Sequence, residues 1–143
     1  MRGRCRSNAR MRPTAEYLAR DLAVINYDRR GRGDSTDTLP YAVEREVEDL
    51  AALISRAGGS ASVYGHSSGA ALALHAAAHG LPIDRLILHE PPYSPDLEEH
   101  RREGREYGEQ VATLLELRVL EGQGHVVPPE LLAPVVTEFL AGG

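Results

Sequence analysis

The feature that most constrains the fold is a serine held between glycines where a strand pattern meets a helix pattern. Residues 60–65, SASVYG, have the composition of a short strand, residues 65–69 are GHSSG, and an alanine-rich helical pattern follows. A G-x-S-x-G turn in this context holds its serine, here Ser67, in a strained backbone conformation with the hydroxyl exposed. We expect Gly65 and Gly69 because side chains there would clash with the neighbouring strand and helix. The alternative is a glycine-rich turn whose serine only caps the helix.

Strand and helix patterns alternate along the chain. The segments with strand composition are 22–28, 60–65, 84–90 and 117–122. The segments with helical spacing of apolar residues are 13–21, 41–57, 68–79 and 129–140, and a highly charged segment with a weaker helical pattern covers 96–117. This order implies right-handed crossovers, and therefore an α/β fold with a parallel sheet of about four strands flanked by helices on both faces. In such sheets the chemistry lies beyond the carboxyl ends of the strands.

Length and charge limit the class of protein. The chain has 143 residues, of which 42% are apolar, and this is enough for one domain with one core. We place that domain at 13–143 and expect the arginine-rich residues 1–12 to form a disordered basic arm. The net charge of −5 argues against a nucleic-acid partner.

Cysteine content and hydropathy bear on the compartment. Cys5 is the one cysteine, so an internal disulfide is excluded and a reducing compartment fits best. No apolar run is long enough to cross a bilayer, and no secretory segment follows Met1. We therefore expect a cytoplasmic location and no membrane partner.

Four stretches of the sequence, taken in order, carry a family resemblance. They are VINYDRRGRGDS (24–35), VYGHSSGAALAL (63–74), LILHEPP (86–92) and LEGQGHVVPPELLAPVVTEFL (120–140). In composition and order they resemble the α/β-hydrolase fold family, in its small, single-domain, esterase-like branch. The resemblance covers residues 15–95 and 117–141 and implies a reduced form of that fold.

The resemblance also implies roles for individual residues. Ser67 would be the nucleophile at a nucleophile elbow formed with Gly65, His66 and Gly69, and His125 would be the general base. The backbone N–H of Ser68 would hold the oxyanion. The expected function is hydrolysis of an ester or similar acyl bond through a Ser67 acyl-enzyme, with a small-molecule acyl substrate and no metal or organic cofactor. Few aromatic residues and no cap favour short, activated substrates.

The chain departs from the family pattern in three places. The family's first three strands, with the loop that supplies a second oxyanion donor, are replaced by the arginine-rich arm, and the cap and the usual segment of the triad acid are missing. Two interpretations of Glu90, at the end of the 84–90 strand, stay open: it orients His125, or it caps local N–H groups. Asp34 is a more distant candidate acid that fits an Asx-type turn contact better.

A second function class follows from the same departures. The chain could be a truncated, catalytically silent relative that acts as an interaction or structural module and forms a homo-oligomer through an exposed sheet edge. The discriminating features are whether an acid reaches His125 and whether His125 reaches Ser67. The pair His75 and His79 lacks the glutamate of a zinc-protease helix and is interpreted as part of an ordinary helix, so no metal site is expected.

Overall fold

The computed structural model describes residues 10–92 and 120–142. This part of the chain contains four helices and two strands. In chain order they are α1 (Arg12–Leu18), α2 (Val43–Ala57), β1 (Ala61–His66), α3 (Ser68–Ala78), β2 (Ile83–His89) and α4 (Pro129–Ala141). Each predicted helix in the described ranges is therefore present, with ends within two residues of the prediction except at α1, which is shorter.

The strands β1 and β2 form a parallel pair connected by α3. Their register pairs Ala61 with Ile83 and His66 with His89, so both strands end at the same edge. An irregularity near the start inserts one extra residue into β2, because Val63 pairs with Leu86. The last residues of β1 and β2 therefore lie side by side, followed at once by Ser67 and Glu90.

Two apolar clusters pack the helices onto the strands. The first joins α1 and α4 through Leu18, Val127, Leu132, Ala133 and Val136, with Tyr64 and Ile87 against it. The second joins α2 and α3 through Val47, Leu50, Ile54, Leu72 and Ala76, with Val63 and Ile83 against it. Neighbouring residues of β1 thus contribute to different clusters, which places helices on both faces of the pair as the sequence predicts.

The strand predicted at 22–28 does not form. Leu22 and Val24 pack against the cluster of α1 and α4, whereas Ala23 and Ile25 are exposed, so the segment has the alternation of an extended chain. Within the described ranges, however, its backbone makes no ladder hydrogen bonds with β1. Alternating composition predicts an extended segment, but pairing also requires a neighbouring backbone in register. The described sheet therefore has two strands and not four.

Other predicted segments lie outside the described residues. These are the charged helical pattern over 96–117 and most of the strand predicted at 117–122, of which the described residues 120–122 lead into a turn. Residues 1–9 of the predicted basic arm also lie outside the described residues, which begin at Arg10. Helix α1 begins at Arg12, the last residue of that predicted arm. In the part of the chain that is described, no helix is long and apolar enough to span a membrane.

The loop that follows 22–28 is fixed to α2 by two arginine–carboxylate pairs. Arg29 forms a bidentate pair with Glu46, which is 3% exposed and also accepts a hydrogen bond of 2.7 Å from the Tyr41 hydroxyl. Arg30 forms a second bidentate pair with Asp49, with both hydrogen bonds at 2.8 Å. Burial alone would raise the pKa of Glu46, but the hydrogen bonds from Arg29 and Tyr41 and the arginine charge hold it below its ordinary value.

The first prediction concerns Glu46. Glu46→Gln leaves the charge of Arg29 without its partner in a partly buried site, so we expect the free energy of unfolding to fall by about 3 kcal/mol at pH 7. Because the folded-state pKa of Glu46 is lowered, its contribution is complete above the unfolded pKa and is lost as the pH falls through the folded pKa. The difference between parent and variant should therefore shrink below about pH 4.5. Urea unfolding followed by circular dichroism measures both effects.

The matched control is Glu48→Gln on the same helix. Glu48 pairs with Arg45, but both side chains are more than half exposed, so we expect a change below about 0.5 kcal/mol. Equal losses in the two variants, or a Glu46 effect that grows in acid, would contradict the role given to the buried pair.

Candidate functional site

The turn at Ser67 connects the end of β1 to the start of α3. Ser67 has φ 54° and ψ −122°, a conformation that a residue with a side chain rarely adopts. Its N–H donates to the carbonyl of His89 at 2.9 Å, and its own carbonyl accepts from Ala70 in the first turn of α3. The backbone is therefore held on both sides of the serine, as the G-x-S-x-G pattern predicts.

The two glycines of the turn differ in what they make possible. A Cβ at Gly65 would lie 2.6 Å from Cα and 2.7 Å from N of Ala70, and the carbonyl of Gly69 would also be too close. This close approach lets α3 start directly over the end of β1. A Cβ at Gly69 would meet nothing within 4 Å among the described residues, so the clash expected there is absent. The expectation for Gly65 is correct and that for Gly69 is wrong, because only Gly65 lies beneath the helix.

Glu90 and His125 form a hydrogen bond beside this turn. Nδ1 of His125 bonds to Oε2 of Glu90, and both side chains are about half exposed. Glu90 directly follows β2 and has φ 45°, so the backbone bends at this residue. The hydrogen bond to His125 holds the pKa of the Glu90 carboxyl below its ordinary value. Glu90 is therefore a carboxylate at neutral pH, and the partner of its side chain is the histidine.

His66 connects the serine turn to the loop that carries His125. Its Nε2 donates to the carbonyl of His125 at 2.9 Å, and the two ring centroids are 4.4 Å apart. The partners are 59 residues apart in the sequence. The residue before Ser67 therefore positions the histidine loop, a contact that the sequence analysis did not predict.

His89 is a residue of the site that the sequence analysis did not name. Its ring lies 4.7 Å from that of His66, and its Nδ1 is hydrogen-bonded to the hydroxyl of Tyr64. Burial, followed by the nearby His66, lowers the pKa of His89, which keeps it neutral and able to accept from the tyrosine. Burial also raises the pKa of Tyr64. The signal was available, because His89 ends a strand at the edge where Ser67 and Glu90 were expected.

Ser67 and His125 are not hydrogen-bonded to each other. Within residues 10–92 and 120–142, neither the Ser67 hydroxyl nor Nε2 of His125 has a hydrogen-bond partner. Catalytic hydrogen bonds are often long or absent without substrate. Of the two discriminating contacts, the structure contains that between acid and histidine and lacks that between histidine and serine.

Ser68 places its backbone N–H at the start of α3 and its side chain against two arginines. Its N–H has no backbone acceptor among the described residues, as expected for the first residue of a helix. Its Oγ accepts hydrogen bonds from Nη1 of Arg29 at 3.2 Å and from Nη1 of Arg32 at 3.3 Å. The start of α3 therefore combines a helix N-terminus with two guanidinium groups, which favours negative charge.

The remaining candidates, Asp34, His75 and His79, make contacts within a turn or a helix. The carboxylate that stabilises the 28–35 turn belongs to Asp28, which accepts from the N–H of Asp34 at 3.2 Å, so the turn contact expected of the Asp34 side chain is made by a different aspartate. His79 contacts the carbonyl of His75 within α3. No group of three or more histidine, cysteine or acidic residues that could hold a metal occurs among the described residues.

Comparisons with known proteins agree with this fold. The model of a family described as "Alpha/beta hydrolase family" matches residues 6–141. The chain is similar to the crystal structure of an alpha/beta hydrolase from Sphaerobacter thermophilus, with 49% identity and a TM-score of 0.58. That match covers 92% of this chain and 53% of the other, so the chain spans about half the length of that hydrolase. No curated protein matches.

The chain belongs to the α/β-hydrolase family. The α/β-hydrolase fold predicted from the sequence is thereby confirmed.

The second prediction separates the two glycines of the turn. Gly65→Ala should lower the free energy of unfolding by at least about 2 kcal/mol, because its methyl group must displace the backbone of α3. Gly69→Ala should leave it unchanged or raise it by up to about 1 kcal/mol, since alanine is the better helix residue. Chemical denaturation of the two variants in parallel measures the difference. Equal stability would contradict the close approach at Gly65.

Proposed function

We propose that this chain is a serine hydrolase of the esterase type, with Ser67 as nucleophile, His125 as general base and Glu90 as the acid that orients the base. The observation that carries the proposal is the hydrogen bond between Glu90 and His125, at the sheet edge where Ser67 is held in its strained turn. An acid, an imidazole and a partly buried serine at one edge are the components of the triad mechanism. Family membership supports the hydrolase fold on which they are placed.

The reaction would proceed through an ester of Ser67. Nε2 of His125 takes the proton of the Ser67 hydroxyl while the serine oxygen attacks the carbonyl carbon of the substrate. The histidine then donates that proton to the leaving alcohol, which leaves an acyl group on Ser67. Water, deprotonated by the same Nε2, attacks the acyl-enzyme and releases the acid with the serine restored.

Glu90 determines which histidine nitrogen acts. Because Nδ1 of His125 is engaged by the carboxylate, Nε2 is the nitrogen left to act as the base in the proposed mechanism. The lowered pKa of Glu90 keeps the carboxyl ionised, so it stabilises the imidazolium that forms in each transition state.

His66 and Ser68 complete the site. His66 fixes the backbone of the histidine loop through the carbonyl of His125, which limits how far the base can move from the elbow. The free N–H of Ser68 donates to the developing oxyanion. Substrate binding has to bring Nε2 of His125 within about 2.6–3.2 Å of the Ser67 hydroxyl. The substrate class is a small acyl ester with a good leaving group, and no metal or organic cofactor takes part.

A second candidate function rests on the missing contact between Ser67 and His125. In this alternative the elbow is retained as architecture and the chain acts as an interaction module. Among the described residues, no strand pairs with β1 on the side opposite β2, and a second chain would pair there. It predicts a folded protein without esterase activity at any substrate concentration and with a mass in solution of two or more chains.

The third prediction tests the triad with a p-nitrophenyl ester of a short acid. Ser67→Ala and His125→Gln should each reduce kcat by at least about 10³-fold, because each removes a group that bonds to the reacting atoms or moves their proton. Glu90→Gln should reduce kcat by about 10²-fold or more, since the amide no longer stabilises the imidazolium. Stopped-flow or plate-reader detection of p-nitrophenolate measures all three variants.

The matched controls are Glu121→Gln and His79→Gln. Both residues are exposed and neither contacts the site, so kcat should stay within about twofold. A folded parent without activity would favour the interaction module. An active parent that is insensitive to Ser67→Ala would show that another group does the chemistry.

A further inference from the structure

The loop from 28 to 35 carries three arginines, and they differ in how their charge is neutralised. Arg29 is paired with the carboxylate of Glu46, and Arg30 is paired with Asp49 and lies 3.8 Å from Asp37. Arg32 has no carboxylate within ion-pair distance among the described residues, and its side-chain contact there is with Ser68 Oγ. Among the described residues, the guanidinium of Arg32 is therefore a positive charge without an ion-pair partner, and the charge of Glu46 acts on it only from beyond ion-pair distance.

This charge lies next to the nucleophile. Ser68 follows Ser67 directly and begins α3, so the 3.3 Å hydrogen bond from Arg32 Nη1 to Ser68 Oγ places the guanidinium one residue from the proposed acyl group. In the described part of the chain, Glu46 is the ion-pair partner of Arg29, and its negative charge lies directly against that arginine. Glu90 is committed to His125. Within residues 10–92 and 120–142, the two arginines at Ser68 therefore share one ion-paired carboxylate, which leaves one positive charge in excess.

The loop backbone holds Arg32 in place. Gly31 and Gly33 flank it with φ of 68° and 55°, which makes a sharp turn at the arginine. The Arg32 N–H donates to the carbonyl of Arg29 at 3.0 Å, and the Arg32 carbonyl accepts from Ser35 at 3.0 Å. Asp28 stabilises the same turn, because its backbone carbonyl accepts a hydrogen bond of 2.6 Å from the Ser35 hydroxyl. Binding of a ligand by Arg32 would therefore need little reordering of the loop.

We propose that Arg32 binds a carboxylate on the acyl part of the substrate, so that the preferred substrates are monoesters of dicarboxylic acids. The proposal rests on the serine hydrolase function proposed above and specifies its substrate class. The planar guanidinium forms two parallel hydrogen bonds with a carboxylate, and the exposed position of Arg32 leaves the rest of its fork available. The N-terminus of α3 favours the same negative charge.

The experiment compares two esters of equal acyl length, the mono-p-nitrophenyl ester of adipic acid and p-nitrophenyl hexanoate, after subtraction of the reaction without protein. We expect kcat/KM for the monoester to exceed that for the neutral ester. Arg32→Gln should lower this ratio at least about tenfold, because a charge-assisted hydrogen bond is lost. Arg32→Lys should retain part of the ratio, and Arg56→Gln, which removes an exposed arginine of α2, should retain all of it.

A binding measurement separates this proposal from the proposed function. Adipate is titrated into the ¹⁵N-labelled protein, and the amide signals of Arg32 and Ser68 are followed in the parent, in Arg32→Gln and in Arg56→Gln. Saturable shifts that Arg32→Gln abolishes and Arg56→Gln keeps would support the carboxylate site even if no ester is hydrolysed. If esters are hydrolysed and the ratio of kcat/KM between the two esters is the same in Arg32→Gln and the parent, the proposed substrate class is wrong. The proposed serine hydrolase function would not be affected by that result. Absence of saturable shifts in an inactive parent would overturn the site as well.

Discussion

The close approach of α3 to β1 at Gly65 is the constraint on which the site depends. Because Gly65 has no side chain, the first turn of α3 can start over the end of β1. The chain changes direction at Ser67, whose φ is positive. The hydrogen bond from its N–H to the carbonyl of His89 then ties the turn to β2. Through these contacts the ends of both strands, and the residues that follow them, share one small area.

Electrostatics around this area is arranged in two parts. On one side, Glu90 and His125 form an acid–imidazole pair in which the pKa of the carboxyl is lowered by its hydrogen bond. On the other side, the buried Glu46 pairs with Arg29, whereas Arg32, beside Ser68, has no ion-pair partner in the ranges that the structure describes. Under the proposed function, proton transfer and recognition of charge would thus fall to different elements that meet at Ser67.

The elements that sequence predicts well are those whose signal is local. The α2 helix follows from apolar spacing and ends at Gly58, whose φ of 123° suits glycine, and the serine turn follows from five residues. Composition could not predict whether segment 22–28 pairs with another strand, because pairing depends on where a second backbone lies in the folded chain. The contact between His66 and the carbonyl of His125 joins residues that only the folded chain brings together. The position of Glu90 at the same edge as Ser67 was predictable, because the ends of neighbouring parallel strands share an edge.

The central claim is that Ser67 is an activated nucleophile, and the most direct measurement is intact mass after treatment with a fluorophosphonate. We predict that the folded parent gains the mass of one phosphonyl group, that peptide mapping places it on Ser67, and that Ser67→Ala gains none. A folded parent that stays unlabelled with a reagent in large excess, or a label that persists in Ser67→Ala, would contradict the account.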